Sequence, residues 1–231
     1  HSHTTWSDGR DSARAMAEAA KARGYTYLAI TDHSRHSRVA NGLDPDRLAQ
    51  QIDEIDRLND ELDGIRLLKG SEVDILADGS LDLPDDILSR LDLRVCSLHD
   101  KLDLAEEKQT ERVIRAMDNR WFNIFAHPTG RLIDKRAPAA MDMERVLAAA
   151  RERGCFLEIN AQPERLDLTD THARMAKEMG VKLAISTDAH STSGLAAIRF
   201  GIDQARRGWL GPDDVLNTRP WPELAELLDR S

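Results

Sequence analysis

Short apolar segments alternate along the chain with longer amphipathic ones. The apolar segments are four or five residues long and end at polar or glycine positions, which is typical of strands buried on both faces of a sheet. The strands predicted in this way are residues 27–30, 65–68, 93–96, 122–126, 155–159 and 181–185. The amphipathic segments predict helices at residues 11–23, 45–62, 106–117, 142–153, 170–179 and 223–228.

The order of these segments predicts a parallel sheet. A helix, a glycine and a strand follow one another at Gly24, Gly154 and Gly180, and this is the rhythm of βα units, whose strands run parallel. The chain has 231 residues, 41% of them hydrophobic, which is enough for one sizeable core. We therefore expect a single α/β domain over residues 1–231, with the last helix packed on its exterior.

Charge and cysteine content narrow the functional classes. A formal net charge of −9 and a pI of about 5.4 argue against an extended basic surface for nucleic acid, although divalent ions in an acidic pocket would reverse the local field. Cys96 and Cys155 each lie within an apolar run, which favours a reducing compartment over a disulfide. No apolar run of membrane-spanning length and no signal peptide are visible, so we expect a cytoplasmic protein without a membrane partner.

Side chains that bind metals follow the predicted strands. Six of the eight histidines lie at strand ends, and parallel barrels build their active sites at that edge. Alternate residues of an extended segment point the same way, so His1 and His3 can face one ion. The candidate ligands are His1, His3, Asp8, His33, Glu72, His99, His127, Asp188 and His190. Nine ligands match two or three ions, and imidazole with carboxylate suits manganese, zinc or iron.

The segments that carry these residues resemble the motifs of the polymerase and histidinol phosphatase (PHP) family. The motifs are residues 1–9, 31–33, 70–74, 97–99, 126–128 and 187–190, and they run in the family's order. The resemblance implies a distorted seven-stranded parallel (βα)7 barrel with a trinuclear metal site.

A narrower resemblance covers nearly the whole chain. Residues 39–43, 69–76, 78–82, 127–132, 157–160, 165–168 and 208–210 are similar to the C-terminal PHP domain of bacterial family X DNA polymerases. This implies a manganese-dependent 3′-5′ exonuclease that acts on DNA 3′ ends beside a polymerase domain in repair. Because the chain starts at His1 without a Met or a preceding strand, we expect a domain excised from a longer polymerase chain.

The resemblance also assigns the ligands to ions. One ion is held by His1, His3, Glu72 and Asp188. A second is held by Glu72, which bridges, with His99 and His127. The third is held by Asp8, His33 and His190. Position 8 is histidine in some relatives and Asp8 here, which shifts the third site from zinc toward manganese.

The residues expected to take part in catalysis are Glu72, His99, Asp188 and Arg131. The guanidinium fork of Arg131 matches phosphate oxygens, with a surface salt bridge as the alternative. Two other functions stay open. One is a phosphatase for a small monoester such as histidinol phosphate, which predicts a closed pocket. The other is a non-catalytic module whose metals stabilise a polymerase, although all nine ligand positions are filled here.

Overall fold

Six parallel strands form one curled sheet in the computed structural model, which describes residues 1–230. The strands lie in sequence order and are β1 (Tyr27–Ile30), β2 (Arg66–Asp74), β3 (Leu93–Ser97), β4 (Ile124–Phe125), β5 (Phe156–Asn160) and β6 (Leu183–Ser186). The helices are α1 (Ala13–Ala22), α2 (Pro45–Glu61), α3 (Asp85–Leu88), α4 (Glu106–Met117), α5 (Met143–Arg153), α6 (Asp170–Glu178), α7 (Ile198–Arg207) and α8 (Trp221–Leu228). The predicted α/β fold with a parallel sheet is therefore confirmed.

Local sequence explains where the helices begin and end. Asp44 and Asp142 accept hydrogen bonds from the first turns of α2 and α5, as N-cap carboxylates do. Gly154 ends α5 in the left-handed conformation, which costs glycine little. Every predicted strand and helix is present, while α3 and α7 were not predicted. Within residues 1–230 no helix is both long and apolar enough to span a bilayer.

The prediction of seven strands is wrong by one. Residues 1–3 lie between the ends of β1 and β6, where a closing strand would run, but they make only one isolated bridge, between Ser2 and Ala189. The backbone N–H of His3 donates to Ala189 O over 2.8 Å, and that of Thr31 donates to Ser2 O over 2.8 Å. This segment contributes too few backbone groups for a ladder, yet it fixes His1 and His3 between the first and last strands.

Strand β2 changes partners at Gly70 and thereby curls the sheet. Residues 66–69 pair with β1, and residues 70–74 pair with β3. A Cβ atom on Gly70 would lie 2.9 Å from Ile30 O and 2.9 Å from Thr31 Cγ2, closer than such atoms approach. The absence of a side chain thus permits the crossing, which carries Glu72 to the carboxyl edge.

Helix α8 packs inside the curl. Leu224 and Leu228 belong to a buried cluster with Leu68, Val95 and Ile124, on the sheet face opposite to α1 and α2. The prediction that this helix packs on the exterior is therefore wrong. Because the six-stranded sheet leaves its inner face open at the amino ends of the strands, the apolar side of α8 covers it. The polar candidates lie at the other end of the same inner face.

Candidate metal centre

All nine predicted ligands converge at the carboxyl edge of the sheet. Loops directly after β1, β3, β4 and β6 carry five of them, β2 carries Glu72, and the N-terminal segment carries the remaining three. Their nitrogen and oxygen atoms form overlapping groups in which every ligand atom lies within 4.8 Å of the others. Residues that are far apart in sequence thus meet at one place.

The Glu72 carboxylate lies at the middle of this centre. Its Oε1 is 2.8 Å from His127 Nε2 and 3.2 Å from His99 Nε2. Its Oε2 is 2.8 Å from His33 Nδ1 and 3.3 Å from His1 Nε2. Burial alone would raise the pKa of Glu72, but the imidazoles of His33, His99 and His1 hold that pKa well below its usual value. The carboxylate is therefore ionised, and both oxygens are placed to bridge.

Asp188 forms a buried group with His1 and His3. Its Oδ1 lies 3.5 Å from His1 Nε2 and 3.1 Å from His3 Nε2, and Asn160 Nδ2 donates to its Oδ2 over 3.0 Å. Burial would raise the pKa of Asp188, but His1 and His3 hold it well below the usual range. The backbone at Asp188 has φ of 50°, a left-handed conformation that Asp adopts more readily than most residues. This turn directs the carboxylate inward immediately after β6.

Asp8 forms a second, more open group. Its Oδ1 lies 3.4 Å from His190 Nε2, 3.7 Å from His33 Nε2 and 3.9 Å from His3 Nδ1. The side chains of Asp8 and His190 are 36% and 39% exposed. His190 Nδ1–H donates to the Asp188 carbonyl over 2.9 Å, which directs Nε2 toward Asp8. This group faces solvent, whereas the Asp188 group does not.

The unpaired polar atoms of the centre fit divalent cations. Four buried ligand atoms have no hydrogen-bond partner among residues 1–230, namely His1 Nε2, His3 Nδ1, His33 Nδ1 and Glu72 Oε2. His33 Nδ1 and Glu72 Oε2 are 2.8 Å apart without hydrogen-bond geometry. Buried polar atoms are normally satisfied, and several lone pairs directed at common points are satisfied by cations. The donor set suits manganese, zinc or iron.

Two carboxylates that the sequence analysis did not include orient these ligands. Glu158 Oε1 accepts a hydrogen bond from His1 Nδ1 over 2.7 Å, and its Oε2 accepts one from the His127 backbone N–H over 2.6 Å. Asp74 Oδ1 accepts from His99 Nδ1 over 2.8 Å. The Nε2 atoms of His1 and His99 are thereby left for a metal, which is the usual outer-shell arrangement of metal sites.

A sequence signal for both carboxylates existed. Asp74 is two residues after Glu72 on the same strand, so the two share a face. Glu158 lies between Leu157 and Ile159 in the predicted strand 155–159, which is otherwise apolar, and a charged residue there is seldom buried without a partner.

Arg131 lies in the loop after β4, and two of its donor groups are engaged by backbone carbonyls. Its Nε and Nη2 donate to the carbonyls of Arg165 and Leu166 over 2.7 and 2.6 Å, so it ties the loop after β4 to the loop after β5. The neighbouring Arg165 lies with Nε 3.7 Å from Asp188 Oδ2. Its buried Nη1 has no hydrogen-bond partner among residues 1–230. A phosphate contact by Arg131 stays a prediction, and Arg165 has the freer donor.

A curled parallel α/β sheet with a multi-metal site of imidazoles and carboxylates defines the class of this protein. A sequence model of the PHP domain matches residues 1–162. The chain therefore belongs to the PHP domain family, and its relatives place it among the hydrolases.

Three similar proteins illustrate the range of that family. The DNA polymerase/3′-5′ exonuclease PolX of Bacillus subtilis (strain 168) is 46% identical over all of this chain, which spans 40% of that protein's length. A protein of Thermoanaerobacter sp. (strain X514) named as a probable phosphatase is 32% identical, covering 87% of this chain and 82% of that one. A crystal structure of histidinol phosphate phosphatase from Lactococcus lactis, with zinc, L-histidinol and phosphate, superposes with a TM-score of 0.66 at 17% identity, covering 91% and 93%.

Proposed function

We propose that this chain hydrolyses phosphodiesters at the metal centre and acts as a 3′-5′ exonuclease on DNA ends. The observation that carries the proposal is the convergence of nine potential ligands around the buried Glu72 carboxylate. The similarity to PolX over the full chain supports it. Because the chain spans only part of PolX, the polymerase domain as its partner in a longer chain is part of the proposal.

The residues of the centre would have different roles in such a reaction. When bound, two or three divalent ions, manganese by preference, supply an activated water and stabilise charge on the phosphoryl oxygens. Glu72, whose two oxygens face different imidazoles, would be a ligand that neighbouring ions share. Asp74 fixes the orientation of His99, and Glu158 fixes that of His1. Arg165, whose Nε lies 3.7 Å from Asp188 Oδ2 and whose buried Nη1 has no hydrogen-bond partner among residues 1–230, would contribute positive charge beside the phosphate.

Hydrolysis of a small phosphomonoester is the second candidate. It is supported by the 32% identical relative named as a probable phosphatase. It requires a pocket that encloses the substrate, whereas Asp8 and His190 leave one side of the centre open to solvent. An open side accommodates a strand that continues past the scissile phosphate, so the exonuclease is the better supported of the two. A non-catalytic module is the third candidate, and the filled ligand set argues against it.

Digestion of a 5′-labelled single-stranded oligonucleotide with Mn²⁺, compared with turnover of histidinol phosphate, tests the proposal. We expect stepwise shortening from the 3′ end that is lost in His3→Ala and Asp188→Ala, with the fold retained by circular dichroism. The exposed Glu178→Gln serves as a matched control that keeps activity. Ready turnover of histidinol phosphate without shortening of the oligonucleotide would favour the phosphatase, and neither activity would favour the non-catalytic module.

A further inference from the structure

One large apolar side chain is completely exposed at the rim of the metal centre. Val39 lies in the 3₁₀ turn Arg38–Ala40 and has a relative exposure of 105%. The other large hydrophobic residues that are exposed among residues 1–230 are Ile133 at 39%, Ile202 at 39% and Trp209 at 74%. Because the Val39 side chain does not pack against the rest of the chain, its apolar surface is available to contact a ligand.

The beginning of the loop that carries Val39 is fixed to the centre itself. Ser37 Oγ donates to Asp74 Oδ2 over 2.9 Å, and the backbone N–H of His36 donates to Asp82 Oδ2 over 3.0 Å. Asp74 also orients the candidate ligand His99. The position of the loop is therefore coupled to the position of a metal ligand.

The residues that follow Val39 are also held in place. Arg47 Nη1 donates to Asn41 O over 2.9 Å, and Arg47 Nη2 donates to Trp6 O. A Cβ atom on Gly42 would lie 1.9 Å from Ser34 O, so the turn packs as it does only because residue 42 is glycine. Val39 is thus presented in a defined place and is not part of a loose segment.

A cleft of about 430 Å³ separates this loop from the ligands. It is lined by Asp8, His33 and His99, by residues 36–40 and by Asp100. A group bound at the ions would therefore meet the loop within the same cleft.

Arg38 lines the cleft next to Val39, and Arg35 and Lys101 adjoin the cleft residues His36 and Asp100 in sequence. Arg35, Arg38 and Lys101 are exposed, and none makes an ion pair among the residues that the structure describes. The acidic residue that faces the loop, Asp100, is already paired with Arg112 and lies 3.4 Å from His36 Nε2. The loop therefore combines an apolar tip with unpaired positive charge.

We propose that this loop, residues 35–39, binds the DNA strand next to the scissile phosphate. Val39 packs against the face of a base that flanks the cleaved bond, in the way that apolar side chains contact exposed base steps. Arg35 and Arg38 face the phosphates on either side. A DNA strand presents base faces next to anionic phosphates, and the loop presents the apolar Val39 next to the cationic Arg38. This inference rests on the proposed exonuclease function.

Substitution of Val39 tests the proposal. Binding of a 3′-phosphorothioate oligonucleotide is measured by fluorescence anisotropy, and cleavage of the unmodified oligonucleotide is compared with cleavage of bis(4-nitrophenyl) phosphate. We expect Val39→Ser and Val39→Asp to weaken binding roughly five- to tenfold and to lower the preference for the oligonucleotide over the small diester by a similar factor. Val39→Leu, which keeps an apolar side chain at this position, should retain both the binding and the preference of the wild type. Arg38→Ala should reduce the salt dependence of binding by about 0.7 in the log–log slope.

Ile202→Ser and Arg57→Ala, at exposed positions away from the cleft, serve as matched controls. If the Val39 variants bind and discriminate like the wild type, the loop proposal is overturned while the exonuclease proposal stands. If the wild type binds the oligonucleotide without shortening it, the exonuclease proposal fails, and weaker binding by Val39→Asp still supports the loop. If the wild type neither binds nor shortens it, both are overturned.

Discussion

The two halves of the metal centre differ in how they are built. In the buried half, the side chains of His1 and His3 are fully buried, and Asp188 is 7% exposed. In the open half, Asp8 is 36% and His190 39% exposed. The buried half is therefore organised by packing within the folded chain, whereas the open half is accessible to solvent.

The hydrogen bonds that orient the candidate ligands also differ between the two halves. In the buried half the Glu158 carboxylate orients His1 and also accepts from Ser186 Oγ over 2.6 Å. In the open half His190 is oriented by a backbone carbonyl, which is a neutral acceptor. Charged acceptors make stronger hydrogen bonds and more basic imidazoles. We therefore expect the buried half to bind metal more tightly than the open half.

The largest effect is expected for Glu72→Gln, because this carboxylate contacts both halves. Loss of its charge should lower phosphodiester hydrolysis by about 10³-fold, since several kcal/mol of charge stabilisation depend on the ions that it holds. Metal content measured by plasma mass spectrometry should fall in parallel. Glu223→Gln, at the first turn of α8, is the control, and a Glu72→Gln variant with full metal content would refute the bridging role.

Glu158→Gln should have the next largest effect, although Glu158 is not a proposed ligand. The substituted amide cannot accept from both His1 and the His127 backbone as the carboxylate does, so the buried half should lose about 10- to 100-fold in metal affinity. Isothermal titration calorimetry with Mn²⁺ measures this loss of affinity directly. An unchanged affinity for the tightest ion would mean that Glu158 has only a structural role.

Asp8→Asn should affect the open half alone. We expect the metal content to fall by about one ion per chain, while the ions bound near Asp188 are retained. The melting temperature of the metal-loaded chain should fall less than in Glu158→Gln. Loss of all ions in Asp8→Asn would show that the two halves are not separate.

The smallest predicted effect concerns pH. Burial alone would lower the pKa of His99, but the Glu72 and Asp74 carboxylates outweigh burial and raise that pKa to about 10. The pKa of His190 is also raised. A raised pKa stabilises the metal-free fold below the unfolded value of about 6.5, and this stability is lost as pH rises toward the folded value. Because bound ions displace these protons, the gain in melting temperature on adding Mn²⁺ should grow between about pH 6 and about pH 8.5. A gain that shrinks over this range would contradict the account.

Sequence periodicity was sufficient for the fold but not for every detail of the site. The apolar runs located all six strands, and the histidines at their ends located the centre. The single bridge that Ser2 makes in place of a seventh strand could not be predicted from periodicity, because it depends on the ends of two distant strands. The engagement of Arg131 with the Leu166 carbonyl could not be predicted either, since a guanidinium takes whichever acceptor a distant loop provides. Exposure of Val39 likewise depends on how the whole loop is anchored.

The central claim is that these side chains hold several cations together around Glu72. Anomalous diffraction at the manganese edge from crystals of the chain grown with Mn²⁺ tests it most directly. We expect two or three peaks, at least two of them within about 2.0–2.3 Å of a Glu72 carboxylate oxygen. A single peak, or none near Glu72, with the nine side chains placed as described, would contradict it.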